Sequence, residues 1–216
     1  MSYATCVRLK LFYFPVPKNA GTSVRDCLFE IENGWRFRPM IINGNTIYLY
    51  SLFGFPDAFK PAPDRPGYIR FAVVRDPVRR FLSAYANKVL AGAIVAQADF
   101  LKLGVRSDLP KNPDIETFVA HLDEYRRIAS IHHHTNPQRF FLGDDLAHFH
   151  RVFRHEDLGE LERFLSERAG APITLPRLQA DSPKIDPATL SPVARRTIVE
   201  HYAGDYALLV RQYPPG

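Results

Sequence analysis

Phe12-Tyr13-Phe14-Pro15-Val16-Pro17-Lys18-Asn19-Ala20-Gly21-Thr22-Ser23 decides how this chain is read. The run from Val7 to Val16 is apolar apart from Arg8 and Lys10, and it stops at a proline. Beyond the loop, Val24, Cys27, Leu28 and Ile31 recur at helical spacing. The pattern predicts a strand, a tight loop and a helix start. A helix N-terminus offers unpaired N–H groups and the positive end of the macrodipole, which suits an anion. Gly21 allows close backbone approach, Lys18 adds a point charge, and Thr22 and Ser23 add hydroxyl donors. Two readings stay open for the loop alone. It is a phosphate or sulfate cradle, or an ordinary strand-to-helix turn with Thr22 or Ser23 as the N-cap. It is not the nucleotide pattern G-x-x-x-x-G-K-[ST], because its lysine precedes the glycine.

A second stretch repeats the layout. Tyr68 to Val74 is β-branched and aromatic and reads as a buried parallel strand, closed by Arg75-Asp76-Pro77. Asp76 suits an N-cap and Pro77 the first helical turn. Val78, Phe81, Leu82, Tyr85 and Val89 then mark one face of a helix. Arg75 falls at the carboxyl end of a strand, where ligands bind in open α/β sheets, and its planar fork suits a phosphate. Ser83 lies off the apolar face, close in angle to Arg79 and Arg80. That places a hydroxyl among arginines, either a second anion site or a capped helix with a solvated arginine face.

Taken together, the two stretches resemble the sulfotransferases. Pro17-Lys18-x-Ala20-Gly21-Thr22-Ser23 is similar to their 5′-phosphosulfate loop. Val74-Arg75-Asp76-Pro77-x-x-Arg80-x-x-Ser83-x-Tyr85 is similar to their 3′-phosphate motif. His134-x-x-Pro137-Gln138, Val152-x-Arg154-x-Glu156-x-Leu158 and Tyr202-x-x-Asp205-Tyr206 resemble the carbohydrate group that includes the HNK-1 and chondroitin enzymes. The resemblance implies 3′-phosphoadenosine 5′-phosphosulfate (PAPS) as donor, no metal, and in-line transfer of a sulfuryl group to a hydroxyl. By position, Lys18 with Asn19, Ala20, Gly21, Thr22 and Ser23 is expected at the 5′-phosphosulfate, and Arg75 with Ser83 at the 3′-phosphate. A lysine and backbone N–H groups aimed at the departing oxygen would stabilise the charge that grows there. Asn19 stands where the family has threonine, at a position expected to serve through its backbone.

The acceptor hydroxyl needs a base. Residues 24–74, where some relatives keep one, contain no histidine; Asp57 is the acidic residue placed nearest a cleft. The rival is His132-His133-His134, read as a loop from the Asn136-Pro137 that follows. A histidine titrates near working pH, and His134 fits the family's His-x-x-Pro-Gln element. The acceptor is expected to be a sugar hydroxyl, with Trp35, Arg36, Phe37, Arg38, Arg126 and Arg127 as cleft candidates. Two other function classes are weighed. A nucleotide-dependent kinase or NTPase would need its lysine after the glycine and a Mg²⁺-binding aspartate. A non-catalytic protein binding anionic glycans or nucleotides would keep Arg75 and Ser83 but tolerate loss of Lys18.

Composition sets the remaining bounds. The 216 residues suit one domain spanning 1–216, and 46% hydrophobic with 24% charged residues marks a soluble globular class. A net charge of +5 favours anionic ligands, but no basic block argues for nucleic acid. Cys6 and Cys27 read as buried thiols rather than a disulfide or a metal site. No signal-peptide layout and no long apolar span is seen, so a cytoplasmic protein is expected.

Further helices are predicted over Asp114–Ser130, Leu158–Ala169 and Pro192–Tyr202, with strand candidates at Thr46–Phe53 and Phe149–Arg154. Leu90 to Leu103 reads as helix or loop, and Pro172–Pro187 as irregular. The alternation gives an α/β class: a P-loop-like three-layer fold with a central, mostly parallel sheet flanked by helices.

Overall fold

The computed structural model describes residues 2–49, 56–178 and 182–213. Its strands are β1 (Ala4–Cys6), β2 (Leu11–Phe14), β3 (Met40–Ile42), β4 (Asn45–Ile47), β5 (Ile69–Val74) and β6 (Arg151–Arg154). The helices used below are α1 (Gly21–Asn33), α2 (Pro77–Tyr85), α3 (Ile115–Ala120), α4 (Ala129–Thr135), α5 (Gln138–Leu142), α6 (Leu158–Ala169), α7 (Pro192–His201) and α8 (Ala203–Leu208). The fold is α/β, with an open, mostly parallel four-stranded sheet in the order β1-β2-β5-β6. β2 pairs parallel with β5, and β5 parallel with β6; only the edge strand β1 runs antiparallel. Among the described residues no helix is long and apolar enough to cross a membrane.

The chain divides into two compact units, each made of two stretches: 1–75 with 138–180, and 76–137 with 181–216. The first holds the sheet. β2 is buried along its whole length, as is β5 from Phe71 on, which is why they read as continuous apolar runs rather than alternating ones. Leu11, Tyr13, Phe71, Val73 and Phe153 pack on α1 and α6 through Val24, Leu28, Leu161 and Leu165. Tyr13 stacks on Phe71, its partner in the β2–β5 register, with ring centroids 5.0 Å apart. Phe12 and Phe14, one residue out of step, meet Tyr3, Phe59, Tyr68, His148 and Phe149 instead. The second unit is helical around Phe81, Tyr85, Phe118, Tyr125, Ile131, Ile198 and Tyr202.

Several local expectations are corrected. The apolar run is a turn followed by β2, not one strand, and β1 before it closes the hairpin. Val7–Lys10 forms a turn with Lys10 N–H donating to Val7 O at 3.1 Å, and Lys10 takes a left-handed φ of 52°. The three histidines lie on a helix, α4, not in a loop. Asn136-Pro137 acts one turn later, ending that helix at the extended Asn136. Asp114–Ser130 is broken into α3, a four-residue helix over Leu122–Tyr125 and the start of α4. Of the expected Thr46–Phe53 strand, the described residues form strand only within β4, paired antiparallel with β3; residues 50–55 lie outside those described. α6 and α7 form where helical periodicity placed them.

Candidate functional site

The loop Pro15–Ala20 joins the carboxyl end of β2 to α1. α1 starts at Gly21 after an N-cap Ala20 in the left-handed region, φ 59°, and no side chain caps it. Thr22 and Ser23 are therefore inside the first turn, and neither is the N-cap. The first N–H groups of this 13-residue helix point out of the turn beside Lys18. Lys18 also adopts a positive φ, 69°. Two non-glycine residues in this region, one on each side of Asn19, store strain that only neighbouring contacts can hold. Gly21 itself is not among the positive-φ residues. A Cβ there would make ordinary contacts with Val16 O, Pro15 Cβ and the Tyr13 hydroxyl, so the fold does not demand glycine.

The contacts that hold the strain come from far along the chain. Asn19 is fully buried, and its Nδ2 donates to Val73 O at 2.9 Å and to Gln138 Oε1 at 2.7 Å. Gln138, also fully buried, accepts from Arg75 N–H at 3.1 Å and donates through Nε2 to Arg75 O at 2.7 Å. Its amide thus pairs with Arg75 as another strand would, extending the ladder one residue beyond β5. Arg75 Nη1 donates to Lys18 O at 3.1 Å. Asn19 is therefore a side-chain tie between loop and sheet, not a position that serves through its backbone.

β6 adds a further group. In the β5–β6 register Val74 lies opposite Arg154, so Arg75 and His155 leave adjacent strands side by side. His155 is held down to a pKa of about 4, first by burial and then by the charges of Arg75 and Lys18; Glu156 opposes them. The carboxyl ends of β2, β5 and β6 thus present a lysine, an arginine and a neutral imidazole around an uncapped helix start. Local pattern missed both Gln138 and His155 as site residues, because their partners are on other strands.

The second unit carries Ser83 and His134. Asp76 caps α2, accepting from Arg79 N–H at 2.9 Å, with Pro77 in the first turn, as the sequence predicts. Ser83 is half-buried on α2. Arg80, one of the two arginines expected to flank it, is fully buried against the Tyr202 hydroxyl and Asp205, so only Arg79 faces solvent. Tyr206 donates to Asp76 Oδ2 at 3.2 Å, and Tyr202 to Thr135 O at 2.7 Å. The Tyr-x-x-Asp-Tyr element is therefore the internal support of α2 and of the end of α4. His134 Nδ1 lies 2.8 Å from Ser130 O, which fixes the proton on Nδ1 and leaves the Nε2 lone pair as the basic one.

Other candidates are tied into structure. Arg126 donates to Asn136 Oδ1 at 2.8 Å, and Arg127 pairs with Glu124. Arg36 pairs with Glu30, Phe37 is buried against Phe29, and Asp57 is exposed and accepts from Ala58 N–H in its own turn. Trp35 stands exposed over Phe29. Among the described residues no group of three His, Cys, Asp or Glu is placed to hold a metal ion.

A sulfotransferase family model matches residues 1–210. The chain belongs to the sulfotransferase family. Sulfuryl transfer is therefore its class of activity, and a hydroxyl-bearing acceptor follows from that class. No curated protein and no solved structure gives a match. Within this sulfotransferase, the tie through Asn19, Gln138 and Arg75 makes a direct prediction. Gln138→Leu keeps the side-chain volume but strands the Asn19 amide and the Arg75 backbone groups. Unpaired buried polar groups cost about 1–3 kcal/mol each; because Asn19 Nδ2 keeps Val73 O and Arg75 is only half-buried, roughly 2–4 kcal/mol of stability is expected to be lost in all. A denaturant midpoint unchanged by the substitution would show that the tie carries no such weight.

Proposed function

We propose that this chain transfers the sulfuryl group of PAPS to a hydroxyl of a carbohydrate. The observation that carries the donor assignment is the loop itself. A strained lysine sits at the uncapped start of α1, fastened to an arginine at the end of the neighbouring parallel strand. Helix-start N–H groups and a lysine match the 5′-phosphosulfate end of such a donor, and a guanidinium matches a phosphate. The donor residues present fit. Lys18, Asn19, Ala20, Gly21, Thr22 and Ser23 are proposed for the 5′-phosphosulfate, with Asn19 acting through its tie to β5. Arg75 is proposed for the 3′-phosphate, and Ser83 joins it on the strength of the sequence motif.

When bound, PAPS supplies an activated sulfuryl group and a leaving phosphate oxygen. Lys18 and the α1 N–H groups are suited to hold negative charge on that oxygen. His134 is the proposed general base. Its proton sits on Nδ1 against Ser130 O, so Nε2 can take the acceptor's hydroxyl proton. The carbohydrate assignment rests on the family resemblance, with the exposed Trp35 ring as a stacking surface. A cytoplasmic setting is proposed as well. It agrees with the two thiols, Cys6 and Cys27, which are buried and pushed up to about 11 and about 12, mainly by desolvation.

Calorimetric titration with adenosine 3′,5′-bisphosphate tests the donor half. Wild type is expected to bind, and Arg75→Ala to bind at least tenfold more weakly, since a charge-assisted pair contributes about 1.5–3 kcal/mol. A wild type that does not bind the nucleotide sinks the reading. Binding without transfer from PAPS to any sugar would instead favour a non-catalytic binder.

A further inference from the structure

We propose that His155 is a third side chain of the anion site lined by Lys18 and Arg75, engaging the donor's anionic end as an imidazolium. This rests on the donor reading above. The geometry comes from the sheet. Val74 and Arg154 are partners in the β5–β6 register, so the next residues, Arg75 and His155, emerge together at the carboxyl edge. Arg75 is in turn fastened to Lys18 O at 3.1 Å. Arg75 and Lys18 are the two cations that act on the His155 ring, and Gln138 fixes the Arg75 backbone at that edge.

The charge balance then sets what the imidazole does. The groups that act on it are Lys18 from the β2–α1 loop, Arg75 from the end of β5 and Glu156 from its own segment. With the anion absent, two cations and burial keep the ring neutral well below neutral pH. A phosphosulfate or phosphate placed among these groups offsets the two cations and favours the protonated ring. Binding therefore draws one proton from the buffer onto a ring nitrogen of His155, and no covalent bond changes. Linkage gives the sign. Between the free ring's pKa and its higher value in the complex, affinity rises as pH falls. Above and below that window His155 adds no pH dependence. A lone tyrosine, glutamine or asparagine at this position could not behave so.

The test is calorimetric titration of wild type and His155→Gln with adenosine 3′,5′-bisphosphate, in buffers of different ionisation enthalpy. Comparing the two proteins removes the nucleotide's own titration. At about pH 5.5 wild type is expected to take up more protons per nucleotide than the variant. The ratio of their affinities should grow by up to about tenfold for each pH unit lost within the window. Equal uptake with a constant ratio overturns the proposal. Should the variant fold poorly, the ring C–H resonance of His155 in wild type gives the answer directly. A titration midpoint that rises with nucleotide supports the proposal, and one that stays put overturns it. If wild type does not bind the nucleotide, the donor reading and this inference both fail. If it binds without linkage to His155, this inference alone fails.

Discussion

Lys18→Ala is expected to lower transfer from PAPS by about a hundred- to a thousandfold, with a smaller loss of product-nucleotide affinity. The asymmetry follows from where charge develops. A cation beside the departing oxygen matters most in the transition state, so turnover should fall further than binding. Alanine is the right replacement because the backbone at this position is already left-handed, φ 69°, and its carbonyl is the acceptor for Arg75. Alanine keeps both the carbonyl and the strain, and removes only the charge. Lys18→Gly would relax the strain as well, so it confounds loop geometry with charge loss. Steady-state rates with labelled PAPS, read beside nucleotide affinity, check the point. A variant that turns over within a few-fold of wild type would remove Lys18 from the chemistry.

The largest effect on stability is expected at Asp205. Asp205→Ala leaves the fully buried guanidinium of Arg80 without the buried carboxylate whose charge offsets its desolvation. Breaking a buried pair from one side costs about 3–5 kcal/mol, a large part of the roughly 5–15 kcal/mol that holds a typical domain. Burial already lowers the Arg80 pKa, and Tyr202 and Asp205 work against that shift. The tyrosines of the same element also support two helices. Tyr202 bonds Thr135 O, at the end of the helix that carries His134, and Tyr206 bonds the α2 cap Asp76. A double replacement, Arg80→Met with Asp205→Leu, is expected to recover most of the lost stability, because an apolar pair needs no charge compensation. Denaturant midpoints for the single and double variants check this; a stable Asp205→Ala would show that Arg80 is held by other groups.

Elements set by local chemistry were legible from sequence. The switch from an apolar run to 3.6-residue spacing around Lys18 marked β2, the loop and α1, and Asp76-Pro77 marked the start of α2. What stayed hidden had one of two causes. Some turns lack their usual residues. The β1–β2 turn uses Lys10 in a left-handed conformation, so nothing glycine-like broke the apolar run. The histidines of α4 look loop-like because the Asn-Pro that ends their helix lies just beyond it. The other cause is distance along the chain. Arg79 and Arg80 are neighbours with opposite fates, and the groups that act on the inner one, Tyr202 and Asp205, come from the far end of the chain. The tie between Asn19 and Gln138, and the meeting of Arg75 with His155, follow from strand order, which local periodicity does not encode.

The bond from Asn19 to Gln138 spans 119 residues. Closing so long a loop is entropically unfavourable before other contacts repay it, and pairings of this range are the slow ones in folding. β5 also waits for β6, whose parallel register lies beyond that same glutamine. A chain emerging from the ribosome can form β2, α1 and β5 early, yet until residue 138 has been made its Lys18 loop has only the bonds to Val73 and Arg75 to hold it. The loop is therefore expected to reach its finished geometry only late in synthesis.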